Sequence, residues 1–437
     1  MTTLNATMEW LHEADPLAAP GVESQARRLL LDTVGCMIAG LAKPEPANLA
    51  RSLAALDEGR VRLPGSDANL TTLSAAYIAG IAACWDEACE GLARAHGRPG
   101  LHAFAATLPL ALAGRRTLGD TLVALTTGFE LAGRMGERLR IRPGMHVDGT
   151  WGTFGAVAAA ARLFGLSEAG MLAAVEGAAT HLPFSLYLPV AQGATVRNAY
   201  VGEAAMRGIA SALAVQAGVT TPKGGADGYQ ELALGGGDEH FKAPPGEWLI
   251  LQGYLKPFAA VRHVHYGAQA ALDWRKTNPE TPVSDIKALK LAVYEEAMTY
   301  CGNRQPKTAI QAQFSLSYGL ATALVQGDLG PEAYTAVAMA DPTTLRLEEM
   351  LEVSPDKAAT ESGLRRATLT VETAVGSSVH SVDSVAGDLD QPLTNAEVST
   401  KFNRYANPII GSERAASMAE HLLTGPLDAI LADQLAA

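Results

Sequence analysis

The sequence predicts a mainly α-helical protein: a large all-α helical domain made from both ends of the chain, with a smaller α+β domain inserted before the last helices. Three observations predict it. Up to about residue 250, apolar positions recur at helical spacing among many Ala and Gly. Two later stretches, KALKLAVYE and ATLTVE, alternate apolar and polar residues as half-buried strands do. From about 394 the helical spacing returns. The helical domain is therefore expected over 1–258 and 394–437 and the α+β domain over 259–393; 437 residues suffice for two or three domains.

In chain order, Leu29, Leu30, Thr33, Val34, Met37 and Ile38 form one stripe of a helix over 22–40, with Gly40 as its stop. Leu73, Tyr77, Ile81 and Trp85 recur at every fourth position among Ala75, Ala76, Ala79, Gly80, Ala82 and Ala83. Small residues on several faces predict a buried helix, stopping at Gly91. That extent puts Asp86, Glu87 and Glu90 in its last turn, where carboxylates oppose the helix dipole at about 0.3–1 kcal/mol each. A locally unfavourable choice of this kind often marks function. His96 and His102 follow in a Gly- and Pro-rich loop, then a helix through Phe104–Leu112 and another over about 120–138. Pro143 and Gly144 break the chain, and Asp148 or Thr150 is expected to cap a helix ending at Gly165. His146 then stands ahead of a helix N-terminus, whose free N–H groups favour an anion. Arg197 and Tyr200 precede a small-residue helix from near Gly202. LALGGGDEHF lacks a following GK[ST] and a preceding strand, so it reads as a loop and not a phosphate cradle. Beyond Tyr266 come a helix over about 267–275, a strand through Leu289, Leu291 and Val293, a helix in AQFSLSYGLATALVQG, a partly helical LRLEEM, and a strand through Ala367, Leu369 and Val371. The last helices carry Phe402, Leu422 and Leu423 as apolar positions.

Composition narrows the function. Hydrophobic residues make up 48% and charged residues 18%, as in a well-buried globular protein. A formal net charge of -12 argues against nucleic-acid binding, which needs a basic face. Cys36, Cys84, Cys89 and Cys301 form no CxxC pair, which argues against a zinc knuckle or disulfide framework. The acidic start lacks a leader pattern and no apolar run reaches membrane-span length, so a cytoplasmic protein without membrane association is expected. Against this acidic background, YLKPFAAVRHVHY gathers Lys256, Arg262, His263 and His265 around Phe258-Ala259-Ala260-Val261. Cations beside imidazoles suit an anionic substrate and proton transfer. No HExxH or similar ligand pair appears, and neither metal nor cofactor is expected.

Six segments, in order, resemble the MmgE/PrpD family: LLLDTVGCMIAG, SAAYIAGIAACWDEACEG with AHG, MHVDGTWGTFGAVAAAARLFGL, YLKPFAAVRHVH, QPKTAIQAQFSLSYGLATAL and QPLTNAEVSTKFN. That family includes 2-methylcitrate dehydratases, cis-aconitate decarboxylases and iminodisuccinate epimerases. The resemblance implies a homodimer with a metal-free cleft between a helical domain and an α+β lid. It places the family's first active-site aspartate on Glu87, or on Asp86 with another gap. It places the loop histidine on His96, the next histidine on His146, one lysine on Arg197, the hinge lysine on Lys256 and a further histidine on His265. Departures are Cys84 for a histidine, Cys89-Glu90 for an acidic pair, Gly97 for proline and Tyr200 for histidine.

The expected chemistry is a lyase reaction, in the first place hydro-lyase, on a small di- or tricarboxylate by proton abstraction α to a carboxylate. The alternatives are an epimerase using the same proton transfer and a non-catalytic carboxylate-binding relative. Such a carbanion needs positive charge as it forms, here expected from Arg197, Lys256 and the helix N-terminus near Gly149–Gly152. His146 or His265 is expected to take the proton, and Glu87, His96 or Tyr200 to donate one. Arg197, Lys256, Asp86, Arg262 and Thr150 complete the expected substrate-binding set.

Overall fold

The computed structural model describes residues 3–238 and 240–436. Twelve helices and a short strand come first: α1 (Leu4–Glu13), α2 (Val22–Leu41), α3 (Pro44–Leu56), β1 (Glu58–Val61), α4 (Thr72–Cys84), α5 (Pro99–Ala113), α6 (Leu118–Arg138), α7 (Gly152–Leu163), α8 (Glu168–Ala179), α9 (Leu188–Gln192), α10 (Ala199–Gln216), α11 (Gly225–Leu234) and α12 (Arg262–Thr277). The α4, α5, α6, α7 and α10 helices pack on one another. Their Ala and Gly content allows backbone-to-backbone approach. A Cβ on Gly80 of α4 would lie 2.6 Å from the Gly202 nitrogen of α10, and one on Gly128 of α6 would lie 2.6 Å from the Gly155 oxygen of α7. Both crossings require glycine.

The α+β segment follows: β2 (Ile286–Val293), α13 (Glu295–Cys301), α14 (Ala309–Gln313), α15 (Leu316–Gln326), α16 (Ala336–Met339), α17 (Pro342–Met350), β3 (Leu351–Pro355), α18 (Lys357–Ser362), β4 (Ala367–Thr373) and β5 (Gly376–Val382). The sheet order is β3-β2-β4-β5. The β2–β3 pair is parallel, with Leu291 opposite Val353; β2–β4 and β4–β5 are antiparallel, with Leu291 opposite Leu369. Alternation buries Leu289, Leu291, Val293, Ala367, Leu369 and Val371 on the sheet's inner face, and α12 packs against β4, β5 and α15. The chain then returns through α19 (Asn395–Ile410), α20 (Ser412–Thr424) and α21 (Leu431–Ala436). Both α19 and α20 pack on α2, so the last helices rejoin the first. No helix among the described residues is long and apolar enough to cross a membrane.

Four local expectations need correction. The α4 helix ends at Cys84, so Asp86, Glu87 and Glu90 lie in a buried loop beyond it and not against its dipole. His102 belongs to α5, which Pro99 opens at the first turn. Neither Asp148 nor Thr150 caps α7; its N-cap is Trp151, without a side-chain bond. The α12 helix starts at Arg262, so Arg262, His263 and His265 are helical. Of LALGGGDEHF, Leu232–Leu234 close α11 and the glycines follow as loop, while Glu239 lies outside the described residues.

Candidate active site

The loop after α4 and the stretches ahead of α7 and α10 each deliver charged side chains to one cavity. This cavity, of about 350 Å³, lies between the helical body and the α+β segment; the body contributes Glu87, His96, Arg98, His146, Asp148 and Arg197. The hinge brings Tyr254, Lys256, Arg262 and His263, and the α+β segment brings Glu296, Tyr300 and Arg365.

At its buried end, one carboxylate is clamped by three cations. Glu87 Oε2 accepts from Arg197 Nη2 at 2.6 Å and Arg98 Nη1 at 3.0 Å, and Oε1 accepts from Lys256 Nζ at 2.8 Å. Lys256 also donates to the Glu87 carbonyl at 2.8 Å. A second carboxylate, Asp148, ion-pairs with Arg98. Two carboxylates thus face three cations, leaving one positive charge in excess. Burial alone would raise the Glu87 carboxyl, but Arg98, Lys256 and Arg197 outweigh it and hold the group well below the usual carboxylate range. Asp148 is depressed likewise: Arg98, His146, His102 and Arg197 overcome its burial. Lys256 is lowered by burial, with Glu87 opposing. Glu90, in the same loop, accepts from the Leu101 N–H at 2.6 Å; burial pushes it up to about 8.

The loop that presents Glu87 is strained and tied down. Glu87 has φ 52° and His96 φ 53°, left-handed values that non-glycine residues seldom adopt. Lys401 of α19 donates to the Ala88 carbonyl at 2.7 Å and to Asp32 of α2 at 2.6 Å. Cys84 explains the neighbouring arginine: its small Sγ lies 3.2 Å from Arg98 Nη2 and 3.2 Å from Arg197 Nη1, so the guanidinium forks fit against it. Gly97, where the resemblance expects proline, leaves room for Trp151, whose ring would lie 2.5 Å from a Cβ there.

Hydrogen bonding fixes the histidine tautomers, because backbone N–H and guanidinium groups only donate and carbonyls only accept. His146 Nδ1 accepts from the Asp148 N–H at 3.0 Å, so its neutral ring carries the proton on Nε2. Burial lowers its pKa to about 4, with Asp148 opposing and Arg197 and Arg98 assisting. His96 Nδ1 donates to Glu296 Oε1 at 3.3 Å, which leaves the Nε2 lone pair of the neutral ring without a partner among the described residues. Glu296 is held at about 2, chiefly by this bond from His96. His263 stacks on Tyr300 with ring centroids 5.9 Å apart and meets the Tyr294 hydroxyl at 2.5 Å.

Of the expected residues, Glu87, His96, His146, Arg197, Lys256 and Arg262 meet around the cavity. Four others do not line it. His265 is fully buried, its Nδ1 accepting from Arg262 at 3.2 Å and its Nε2–H donating to the Ala260 carbonyl at 3.0 Å, so neither nitrogen is free to take a proton. Tyr200 donates its hydroxyl to the Leu186 carbonyl at 3.1 Å. Thr150 donates to the Val147 carbonyl at 2.6 Å. Asp86 pairs with Lys43 at 3.2 Å. Nor are the first N–H groups near α7 free for an anion, since the Gly149 N–H donates to His102 Nε2 at 3.2 Å and the Asp148 N–H to His146. Arg262 is pinned by Asp388 and lies 4.6 Å over the Tyr254 ring. Sequence reasoning missed Asp148 as an inward anion, Arg98 as a member of the clamp, and Glu296, Tyr300 and Arg365. The signal for Arg98 was its place two residues after His96; the others carried none. Among the described residues no three His, Cys, Asp or Glu side chains converge as metal ligands.

A helical body, an α+β unit set against it and a cationic cleft between them define the class of protein. Residues 7–239 match the MmgE/PrpD N-terminal domain and residues 258–423 the MmgE/PrpD C-terminal domain; the chain belongs to the MmgE/PrpD family. It is 25% identical, over 472 aligned residues, to the cis-aconitate decarboxylase-like protein oryM of Aspergillus oryzae, covering 99% of this chain and 97% of that one. It is also 25% identical, over 353 aligned residues, to the cis-aconitate decarboxylase of Mus musculus, covering 73% and 70%.

Proposed function

We propose that this protein is a lyase acting on a small di- or tricarboxylate, in the first place by dehydration, through a carbanion formed α to a carboxylate. The observation that carries the reading is the excess positive charge around Glu87 at the buried end of the cleft. A carboxylate drawn there places its α-carbon where Lys256 and Arg197 stabilise developing negative charge. His96 takes the α-proton on its free Nε2, while Glu296 holds the ring and steadies the imidazolium. The electron pair delocalises into the carboxylate and then forms a C=C bond as a β-hydroxyl departs with the proton from His96. His146, with its proton on Nε2, serves as a hydrogen-bond donor to the delocalised anion and not as the base. Glu87 is held ionised and has no proton to give.

Incubating the protein with a panel of di- and tricarboxylates in heavy water, followed by NMR, tests the reading. The panel includes cis-aconitate, the substrate named for the relatives. Expected is an alkene product from a hydroxy acid, or hydration of an alkene in reverse. Deuterium gained at an α-carbon with no alkene marks epimerisation instead; loss of carbon dioxide marks decarboxylation. Ligand binding with no exchange at all ends the enzyme reading. Pairing of two copies is part of the same proposal, with exposed Phe184, Leu186, Leu188 and Val196 available to a partner; a monomer mass by light scattering ends that part. The four cysteines are free and buried, which supports a reducing, cytoplasmic setting.

A further inference from the structure

The two adjacent arginines just ahead of β4 have opposite fates. Arg366 forks onto Asp383 on the outer surface, at 2.5 and 2.9 Å. Arg365 lines the cavity, and among the described residues its guanidinium makes no hydrogen bond, no ion pair within 4.0 Å and no stacking contact over a ring. The other buried cations of the cavity are all engaged: Arg98, Arg197 and Lys256 by Glu87, and Arg262 by Asp388. The Glu296 carboxylate acts on Arg365 through space but lies beyond ion-pair distance and is engaged by His96, and a half-buried guanidinium with no direct partner forfeits solvation that a bound anion would replace. Its planar fork matches a carboxylate through two parallel hydrogen bonds.

We propose that Arg365 is the anchor for a second carboxylate of the substrate. Resting on the function proposed above, this makes the ligand a dicarboxylate or longer polycarboxylate that bridges the cleft, with one carboxylate toward the Glu87 end and another on Arg365. The location agrees. Arg365 comes from the α+β segment, whereas Arg98 and Arg197 come from the body, so the two anion positions lie on opposite walls. His263 also lines the cavity, and burial together with Arg365, His96 and Lys256 keeps it neutral, lowering its pKa to about 3 against the pull of Glu296. A substrate with only one carboxylate leaves Arg365 uncompensated.

The test compares ligands that differ by one charge. Binding of succinate and glutarate is measured by calorimetry against succinamate and glutaramate, in which an amide replaces one carboxylate. Wild type is expected to favour at least one diacid over its monoamide by about tenfold or more. Arg365→Gln is expected to abolish that preference, and Arg365→Lys, which keeps the charge but not the fork, to retain part of it. Arg366→Gln should leave it unchanged. Thermal unfolding checks each variant; should Arg365→Gln not fold, an unchanged preference in Arg365→Lys overturns the proposal. A folded Arg365→Gln protein that keeps the wild-type preference overturns the anchor while leaving the carboxylate reading intact. Wild type that binds none of the four overturns both.

Discussion

The two walls of the cleft solve the same electrostatic problem in opposite ways. On the body side, Arg98, Arg197 and Lys256 are paired in advance with Glu87 and Asp148, with one positive charge left over. On the α+β side, Arg365 makes no ion pair among the described residues, and Glu296, which acts on it through space, is committed to His96 across the cleft. A prepaired cluster holds its geometry before ligand arrives, so little reorganisation is needed when charge develops on carbon. An unpaired cation instead reserves its interaction for the ligand and makes the ligand's charge decide affinity. On the function proposed above, the body wall would serve rate and the opposite wall selection.

The largest test of that contrast is Glu87→Ala. It leaves three buried cations facing one another, and chemical unfolding should show a loss of about 3–5 kcal/mol together with loss of turnover. A stable variant would mean the clamp is not what holds the body wall. Next is His96→Ala, expected to lower turnover about 100- to 10,000-fold with little change in unfolding, because the side chain is 47% exposed. Glu296→Gln should cost less, about tenfold, if it only orients the ring; equal losses from both would make the carboxylate a direct participant. The smallest effect separates two carboxylates of one loop. Glu90 titrates near 4.5 when unfolded but near 8 when folded. Between those values the folded state holds the extra proton, so this group's contribution to stability is full below about 4.5 and is lost as pH rises through about 8. Glu90→Gln should therefore flatten the stability profile over that window, gaining on wild type as pH rises. Glu87, depressed by its cations, contributes in the opposite sense, with stability lost as pH falls below the usual carboxylate range.

Periodicity made the scaffold readable. The stripes of α2 and α4 and the alternation of β2 and β4 are long and regular enough to identify their elements. The β5 strand, GSSVHSV, has small polar residues on an exposed edge and so carries no such signal. In the site, residue type identified Glu87, His96, His146, Arg197 and Lys256, but not direction. His263 and His265 look equivalent in the chain. On a helix that begins at Arg262 they point to nearly opposite sides, one lining the cavity and the other bracing Arg262. Asp86 and Glu87 diverge for a backbone reason, since the left-handed turn at Glu87 sends its carboxylate to the clamp while Asp86 turns to Lys43. Arg365 was unreadable because a lone arginine before a strand is ordinary until a cleft is found in front of it.

The tie from Lys401 to the Ala88 carbonyl spans 313 residues of chain. During synthesis, the loop bearing Glu87 leaves the ribosome long before the lysine that fastens it, and before Lys256 as well. The clamp is therefore assembled late, and a truncated product lacking α19 carries every body residue of the cleft yet lacks the fastening that sets them in place.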